Sequence, residues 1–136
     1  MSSLFIACAD GRVAPALATL QESVGEAGAD RLLVPGGPLF LTRAGAERRV
    51  ALDFVRTQLE LHDERTIYLV SHQDCAAYER ALGGLGFDQQ ELLARDLRRV
   101  RSLLENTFAD VDVHCYIIPW RENGEGPAFG EAEPVE

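Results

Sequence analysis

Four short apolar runs, each too short to be a helix, are spread along the chain at residues 4–8, 31–34, 66–70 and 111–118. Runs of this length fit strands, and the uninterrupted Leu4–Cys8 fits one buried on both faces. The third, Thr66-Ile67-Tyr68-Leu69-Val70, is the clearest, being β-branched, aromatic and uncharged. Between the runs lie longer stretches with apolar residues three to four apart. Residues 16–24 carry Leu17, Leu20 and Val24; residues 44–62 carry Ala51, Leu52, Val55 and Leu59; residues 89–108 carry Leu92, Leu93, Leu97, Val100 and Leu104. That period predicts amphipathic helices. A further short helix is expected to begin near Cys75. The predicted order is β-α-β-α-β-α-α-β. It implies an α/β fold: a three-layer sandwich around a mainly parallel sheet of about four strands, order 2-1-3-4, joined by right-handed crossovers.

The punctuation agrees with that order. Pro15 suits a first helical turn, where its missing N–H is not needed. Gly25 and Gly28 end the first helix, and Pro35-Gly36-Gly37-Pro38 stops the second strand. Gly83-Gly84-Leu85-Gly86 reads as a helix stop, and Asp88-Gln89-Gln90-Glu91 has the form of a capping box. The chain of 136 residues fits one core. Residues 1–120 are read as that domain. Residues 121–136, rich in Gly, Glu and Pro, are read as an acidic C-terminal tail, disordered or an intersubunit arm.

The formal net charge is −9, and every one of the 13 basic residues is arginine. The tail holds five glutamates and one arginine, hence −4, which leaves −5 for the other 120 residues. Such a chain is unsuited to nucleic acid or an anionic membrane surface. No run approaches a membrane span, and the apolar run after Met1 has no basic segment before it. Three cysteines, an odd number, argue against a disulfide framework and for thiols kept in a reducing compartment. A cytoplasmic location is the expectation.

Chemistry concentrates in two stretches: Cys8-Ala9-Asp10-Gly11-Arg12 after the first strand, and His72-Gln73-Asp74-Cys75 after the third. If those strands are parallel neighbours, both stretches emerge at the carboxyl edge of the sheet, where open α/β sheets bind ligands. Two thiols and an imidazole are a zinc donor set, and three protein ligands leave the fourth position open. The plainer reading makes Cys8 and Cys75 small buried hydrophobes and His72 a helix cap. Asp10 and Arg12 favour the metal, because an arginine that grips a carboxylate bidentately can hold it off a metal and aim it at the fourth ligand.

Cys-x-Asp-x-Arg after the first strand and His-x-x-Cys after the third, in this order, resemble the β-class carbonic anhydrases. The resemblance spans roughly residues 3–118 and suggests a short, diverged member. It implies a zinc lyase of the carbonate dehydratase type that interconverts carbon dioxide and bicarbonate, with Zn2+ held by Cys8, His72 and Cys75. It implies catalytic roles for Asp10 and Arg12. In some members of that family the aspartate takes the fourth metal position in an inactive form, and the arginine competes for it. It also implies a homodimer or higher homo-oligomer, which the open edges of a four-stranded sheet would favour.

The sequence departs from the family pattern at four places. The polar loop expected after the second strand is Val34-Pro35-Gly36-Gly37-Pro38, whose backbone could still border the site. Gly11 stands where serine is usual and Ala76 where glycine is common. Only seven residues precede Cys8, so the family's N-terminal helical arm is missing. Two further readings therefore stand beside the first: a zinc hydrolase of a CO2-like molecule such as carbonyl sulfide or carbon disulfide on the same fold, and a non-catalytic zinc-binding relative. Elsewhere, His114-Cys115 with Arg121 matches the spacing of cysteine phosphatases. The intervening Tyr-Ile-Ile-Pro-Trp reads as an extended strand rather than a loop of backbone donors around phosphate.

Overall fold

A computed structural model describes residues 3–82, 89–123 and 126–136. β1 (Ser3–Cys8) lies at the centre of the sheet, parallel to β2 (Asp30–Val34) on one side and to β3 (Thr66–His72) on the other. β4 (Asp112–Ile118) continues the parallel pairing on the far side of β3. The predicted order 2-1-3-4 is therefore present, within a five-stranded sheet β2-β1-β3-β4-β7. The helices are α1 (Ala14–Ser23), α2 (Ala46–His62), α3 (Ala76–Leu82) and α4 (Gln89–Thr107). Gly37–Leu41 forms a 3-10 turn, which resolves the segment around Phe40 as neither strand nor α-helix. The glycine stop at 83–86 and the capping residue Asp88 lie outside the described residues. No described helix is long and apolar enough to cross a membrane.

Side-chain alternation along the strands sets up two apolar cores. Leu4, Ile6 and Cys8 of β1 pack with Ile67 and Leu69 of β3 against Val55 and Leu59 of α2 and Leu93, Leu97 and Leu104 of α4. Phe5 and Ala7 face the opposite way, toward Leu17 and Leu20 of α1 and Tyr68 and Val70 of β3. Phe5 stacks on Tyr68 with ring centroids 4.4 Å apart. β1 and β3 are buried on both faces, which is why they read as unbroken apolar runs, whereas β4 alternates exposed and buried residues.

The C-terminal residues differ from the expected disordered tail or intersubunit arm. β5 (Trp120–Asn123) and β6 (Gly126–Phe129) form an antiparallel hairpin, and β7 (Glu133–Val135) pairs antiparallel with β4. The physical reason is the free edge of β4, which β7 covers through Cys115↔Val135 and Ile117↔Glu133. The partner that makes β7 a strand lies about twenty residues upstream, so the local composition carries little sign of it.

At the opposite end of the sheet, Glu64 is fully buried and neither carboxylate oxygen has a hydrogen-bond partner. Burial, then the charge of neighbouring Asp30, pushes its carboxyl up to about 7. Asp30 itself accepts a hydrogen bond from Gln58 Nε2 at 2.7 Å. An acid whose folded pKa is raised favours the fold when protonated. Its contribution is therefore complete below about pH 4.5 and is lost as the pH rises through about 7. Glu64→Gln keeps the shape, adds a donor for Asp30 and removes the charge. Denaturant melts should show the variant more stable than wild type at pH 8 by about 1–3 kcal/mol, with the gap closing toward pH 5. Equal pH dependence in the two proteins would contradict this.

Candidate metal centre

The parallel pairing of β1 with β3 matches Ile6 to Leu69. Continued two residues further, that register sets Cys8 level with Ser71 and next to His72. His72 is thus the last residue of β3 rather than a loop residue beyond it. Gln73 and Asp74 turn the chain, and Cys75 stands directly before α3. Asp74 takes a left-handed conformation, φ 57°, which aspartate tolerates better than most residues. Its side chain does not cap the following helix but receives Arg12.

The structure brings Cys8, His72 and Cys75 together: their ligand atoms all lie within 4.8 Å of one another, and all three residues are buried. Each is oriented by a second contact. His72 Nδ1 lies 2.7 Å from the Gln73 carbonyl, which fixes the proton on that nitrogen. The other ring nitrogen, Nε2, is buried without a partner. Cys8 Sγ accepts a hydrogen bond from the Gly36 N–H at 3.3 Å. The Cys75 N–H donates to Gln89 Oε1 at 3.3 Å. The Cys75 thiol's hydrogen bond to Cys8 holds the Cys8 thiol well below its usual range, with His72 adding to the effect. The same bond, then burial, pushes Cys75 the other way. Burial opposes a charge on His72, yet the neighbouring Cys8 leads the influences that raise it overall. Two buried cysteine sulfurs and an orphaned imidazole nitrogen converging on one point fit a thiophilic metal such as zinc.

The loop after β2 borders this group through its backbone. Gly36 has φ 78° and Gly37 φ 55°, values that suit glycine. A Cβ on Gly37 would fall 2.9 Å from the backbone carbonyl carbon of Ala7 and the nitrogen of Cys8. The glycine pair therefore lets the loop close on the end of β1 and deliver the Gly36 N–H to sulfur.

Asp10 and Arg12 sit beside the group. Arg12 Nε and Nη2 donate to Asp10 Oδ2 at 3.0 and 2.7 Å, and the Arg12 backbone N–H donates to Oδ1 at 2.9 Å. These contacts hold the Asp10 carboxyl below the usual carboxylate range. Asp10 is not one of the residues whose ligand atoms cluster within 4.8 Å. Arg12 Nη1 also reaches Asp74 Oδ2 at 3.1 Å. Sequence reasoning missed Asp74 as a partner of Arg12, and it missed Gln73. The Gln73 side chain accepts the Trp120 N–H at 2.8 Å and donates to Gln90 Oε1 at 2.6 Å, tying β3 to the hairpin and to α4. The aromatics Trp120 and Phe129, 5.5 and 5.2 Å from the Arg12 guanidinium, were also missed.

Cys115 is elsewhere. It is buried in mid-strand, its Sγ 3.7 Å from the Leu97 carbonyl, and burial pushes the thiol up to about 11. A strand holding an un-ionised thiol is no phosphate loop. Tyr78 is buried and donates to Asp96 Oδ2 at 3.1 Å. Phe40 lines an apolar cavity of about 290 Å³ between β2 and α2, lined by none of Cys8, His72 or Cys75.

No protein-family model matches the chain, and neither does any curated protein. Solved structures do. A carbonic anhydrase from Glaciozyma antarctica superposes with a TM-score of 0.60 at 14% identity, over 98% of this chain and 81% of the other. A carbonic anhydrase from Streptococcus mutans gives 0.55 at 21% identity, over 98% and 81%. A tetrameric β-carbonic anhydrase from Sordaria macrospora gives 0.55 at 11% identity, over 87% and 75%. The fold is that of the β-carbonic anhydrases. At these identities the likeness is one of architecture.

The donor set gives a direct test. Zinc content measured by mass spectrometry should fall from one ion per chain to a small fraction in Cys8→Ala and in Cys75→Ala. Cys115→Ala, which removes a buried thiol elsewhere, should keep its zinc. Equal loss in all three would point to general unfolding rather than to ligands.

Proposed function

We propose that this chain is a zinc-dependent carbonic anhydrase, a lyase that reversibly hydrates carbon dioxide to bicarbonate. The observation that carries the reading is the Arg12-held carboxylate of Asp10 beside the buried Cys8–His72–Cys75 group. Cys8, His72 and Cys75 hold the metal. Zinc bound there would act as a Lewis acid and make water nucleophilic near neutral pH. Asp10, ionised and fixed by Arg12, accepts a hydrogen bond from the attacking water and orients it. Arg12 keeps the carboxylate turned away from the metal. The free, buried thiols suit a reducing cytoplasm.

One feature favours the hydrolase of carbonyl sulfide or carbon disulfide as a second reading. The loop of Val34, Pro35, Gly36, Gly37 and Pro38 offers the site no polar side chain, and an apolar wall suits an apolar, sulfur-bearing substrate.

The chain is also proposed to act as a homodimer or higher homo-oligomer. β7 covers one edge of the sheet, whereas β2 leaves the other open. Leu33 on β2 and Val50, Phe54 and Leu61 on α2 are 45–70% exposed. The Sordaria macrospora enzymes are described as tetrameric. Light scattering should give a multiple of the 14.9 kDa chain mass, reduced in Phe54→Glu; a wild-type monomer would overturn this.

Stopped-flow hydration assays test the activity. Wild type should hydrate carbon dioxide, and Asp10→Asn should be slower by about 10- to 100-fold with its zinc retained, as for a partner that orients a metal-site group. Stoichiometric zinc without hydration from about pH 7 to 9, and without an effect of Asp10→Asn, would sink the assignment. Sulfide release from carbonyl sulfide under those conditions would then support the hydrolase.

A further inference from the structure

The hairpin β5–β6 lies against the metal centre of its own chain. Phe129 of β6 meets the His72 ring edge-on, centroids 5.3 Å apart at 88°. Trp120 of β5 meets Phe129 at 4.8 Å and 66°. The Arg12 guanidinium carbon lies 5.5 Å from the Trp120 ring centre and 5.2 Å from that of Phe129, within cation–π range of both. The in-plane donors are taken as well. Nε and Nη2 go to Asp10, Nη1 goes to the Asp74 carboxylate, and Nη2 also reaches the Asp74 carbonyl at 3.2 Å. The base of the hairpin is pinned by Gly130 N–H to the Pro119 carbonyl at 2.9 Å and by Trp120 N–H to Gln73. An Arg121–Glu133 ion pair joins β5 to β7.

We infer that Trp120 and Phe129, with Asp74, are positioning residues of the metal centre: they cage Arg12 and so hold Asp10 turned away from Cys8, His72 and Cys75. This rests on the carbonic anhydrase reading for what Asp10 does, but not for the cage itself. An arginine held by one carboxylate alone can swing into water and release its partner. Here release of Asp10 also breaks the Asp74 contacts and two ring contacts, so the carboxylate is kept from filling the open metal position. Phe129 lies in the acidic C-terminal stretch and Trp120 directly before it, a region whose composition alone suggests no such role.

Trp120 is the only tryptophan in the chain, so its fluorescence reports the cage without metal or activity. In the full-length protein, Arg12→Gln and Phe129→Ala should raise acrylamide quenching of Trp120 about two- to threefold, because each removes a group packed on its ring. Phe129→Leu, which keeps apolar bulk without a ring, should move quenching in the same direction and guards against a misfolded alanine variant. The cobalt-substituted protein reads the consequence, with azide as the probe and the visible cobalt bands as the signal. Wild type should bind azide. Phe129→Leu should bind it about tenfold more weakly, because Asp10 competes for the position, and adding Asp10→Asn should restore binding. Unchanged quenching in all three variants, or weakened azide binding that Asp10→Asn does not restore, would overturn the inference. Cobalt failing to bind wild type would sink both the metal reading and the positioning role, while quenching would still decide whether the cage exists.

Discussion

The parallel pairing of β1 with β3 is the constraint on which the site depends. Its register runs Ser3↔Thr66, Leu4↔Ile67, Phe5↔Tyr68 and Ile6↔Leu69. A slip of one residue would turn each of these side chains to the other face. The two apolar cores forbid it, because Leu4 and Ile6 would trade places with Phe5 and Ala7 against helices of different shape. Two adjacent strands of fixed register also fix where their ends lie. Cys8 belongs to the core shared with α2 and α4, whereas His72 turns its ring to Phe129 on the hairpin side. The Cys8–His72–Cys75 group therefore straddles the carboxyl edge of the sheet, with residues drawn from both sides of it. The 63 residues of chain between Cys8 and His72 matter less to that geometry than four backbone pairings.

The central strands β1 and β3 were legible because each is buried on both faces and so announces itself locally, whereas β2 and β4 were read from short apolar clusters set between turn signals. The approach of Cys8 to His72 and Cys75 was legible for the same reason, once parallel neighbours were assumed. The close contact of Gly36 with Cys8 could be suspected from the Pro35-Gly36-Gly37-Pro38 loop, although its purpose, an N–H aimed at sulfur, appears only in space. The hairpin and β7 were not legible. Glu133-Pro134-Val135 has neither apolar alternation nor length, and it is a strand because β4 offers it an unpaired edge. Trp120 follows Pro119, which read as the end of the last strand. Nothing local says that an aromatic there, and another nine residues on, will meet over an arginine 108 positions earlier in the chain.

Electrostatics explains why Arg12 needs that company. Its guanidinium lies between two carboxylates, Asp10 and Asp74, and its side chain is 48% exposed. Exposed ion pairs in water are weak and screened by salt. A single surface pair would leave Asp10 free for part of the time, and a free carboxylate next to a divalent cation would coordinate it. Aromatic rings over the guanidinium add an attraction that requires no further buried charge. They also exclude water from one side of the pairs, which lowers the local dielectric and strengthens both.

The ligands and the dyad are consequently supported by different parts of the chain. Cys8, His72 and Cys75 are set by the β1–β3 pairing, by the Gly36 N–H, by the Gln73 carbonyl and, for Cys75, by Gln89 of α4. Asp10 and Arg12 are set by one another, by Asp74 and by rings contributed after residue 119. Gln73 is the joint between the two layers: its carbonyl orients the His72 ring while its side chain takes the Trp120 N–H. A disturbance of the hairpin can therefore reach the Cys8–His72–Cys75 group by two routes, through Arg12 to Asp10 and through Gln73 to His72. Only the first frees the Asp10 carboxylate; the second changes the orientation of the His72 ring. The two routes differ in kind, because removing the Asp10 carboxylate reverses the first and leaves the second untouched.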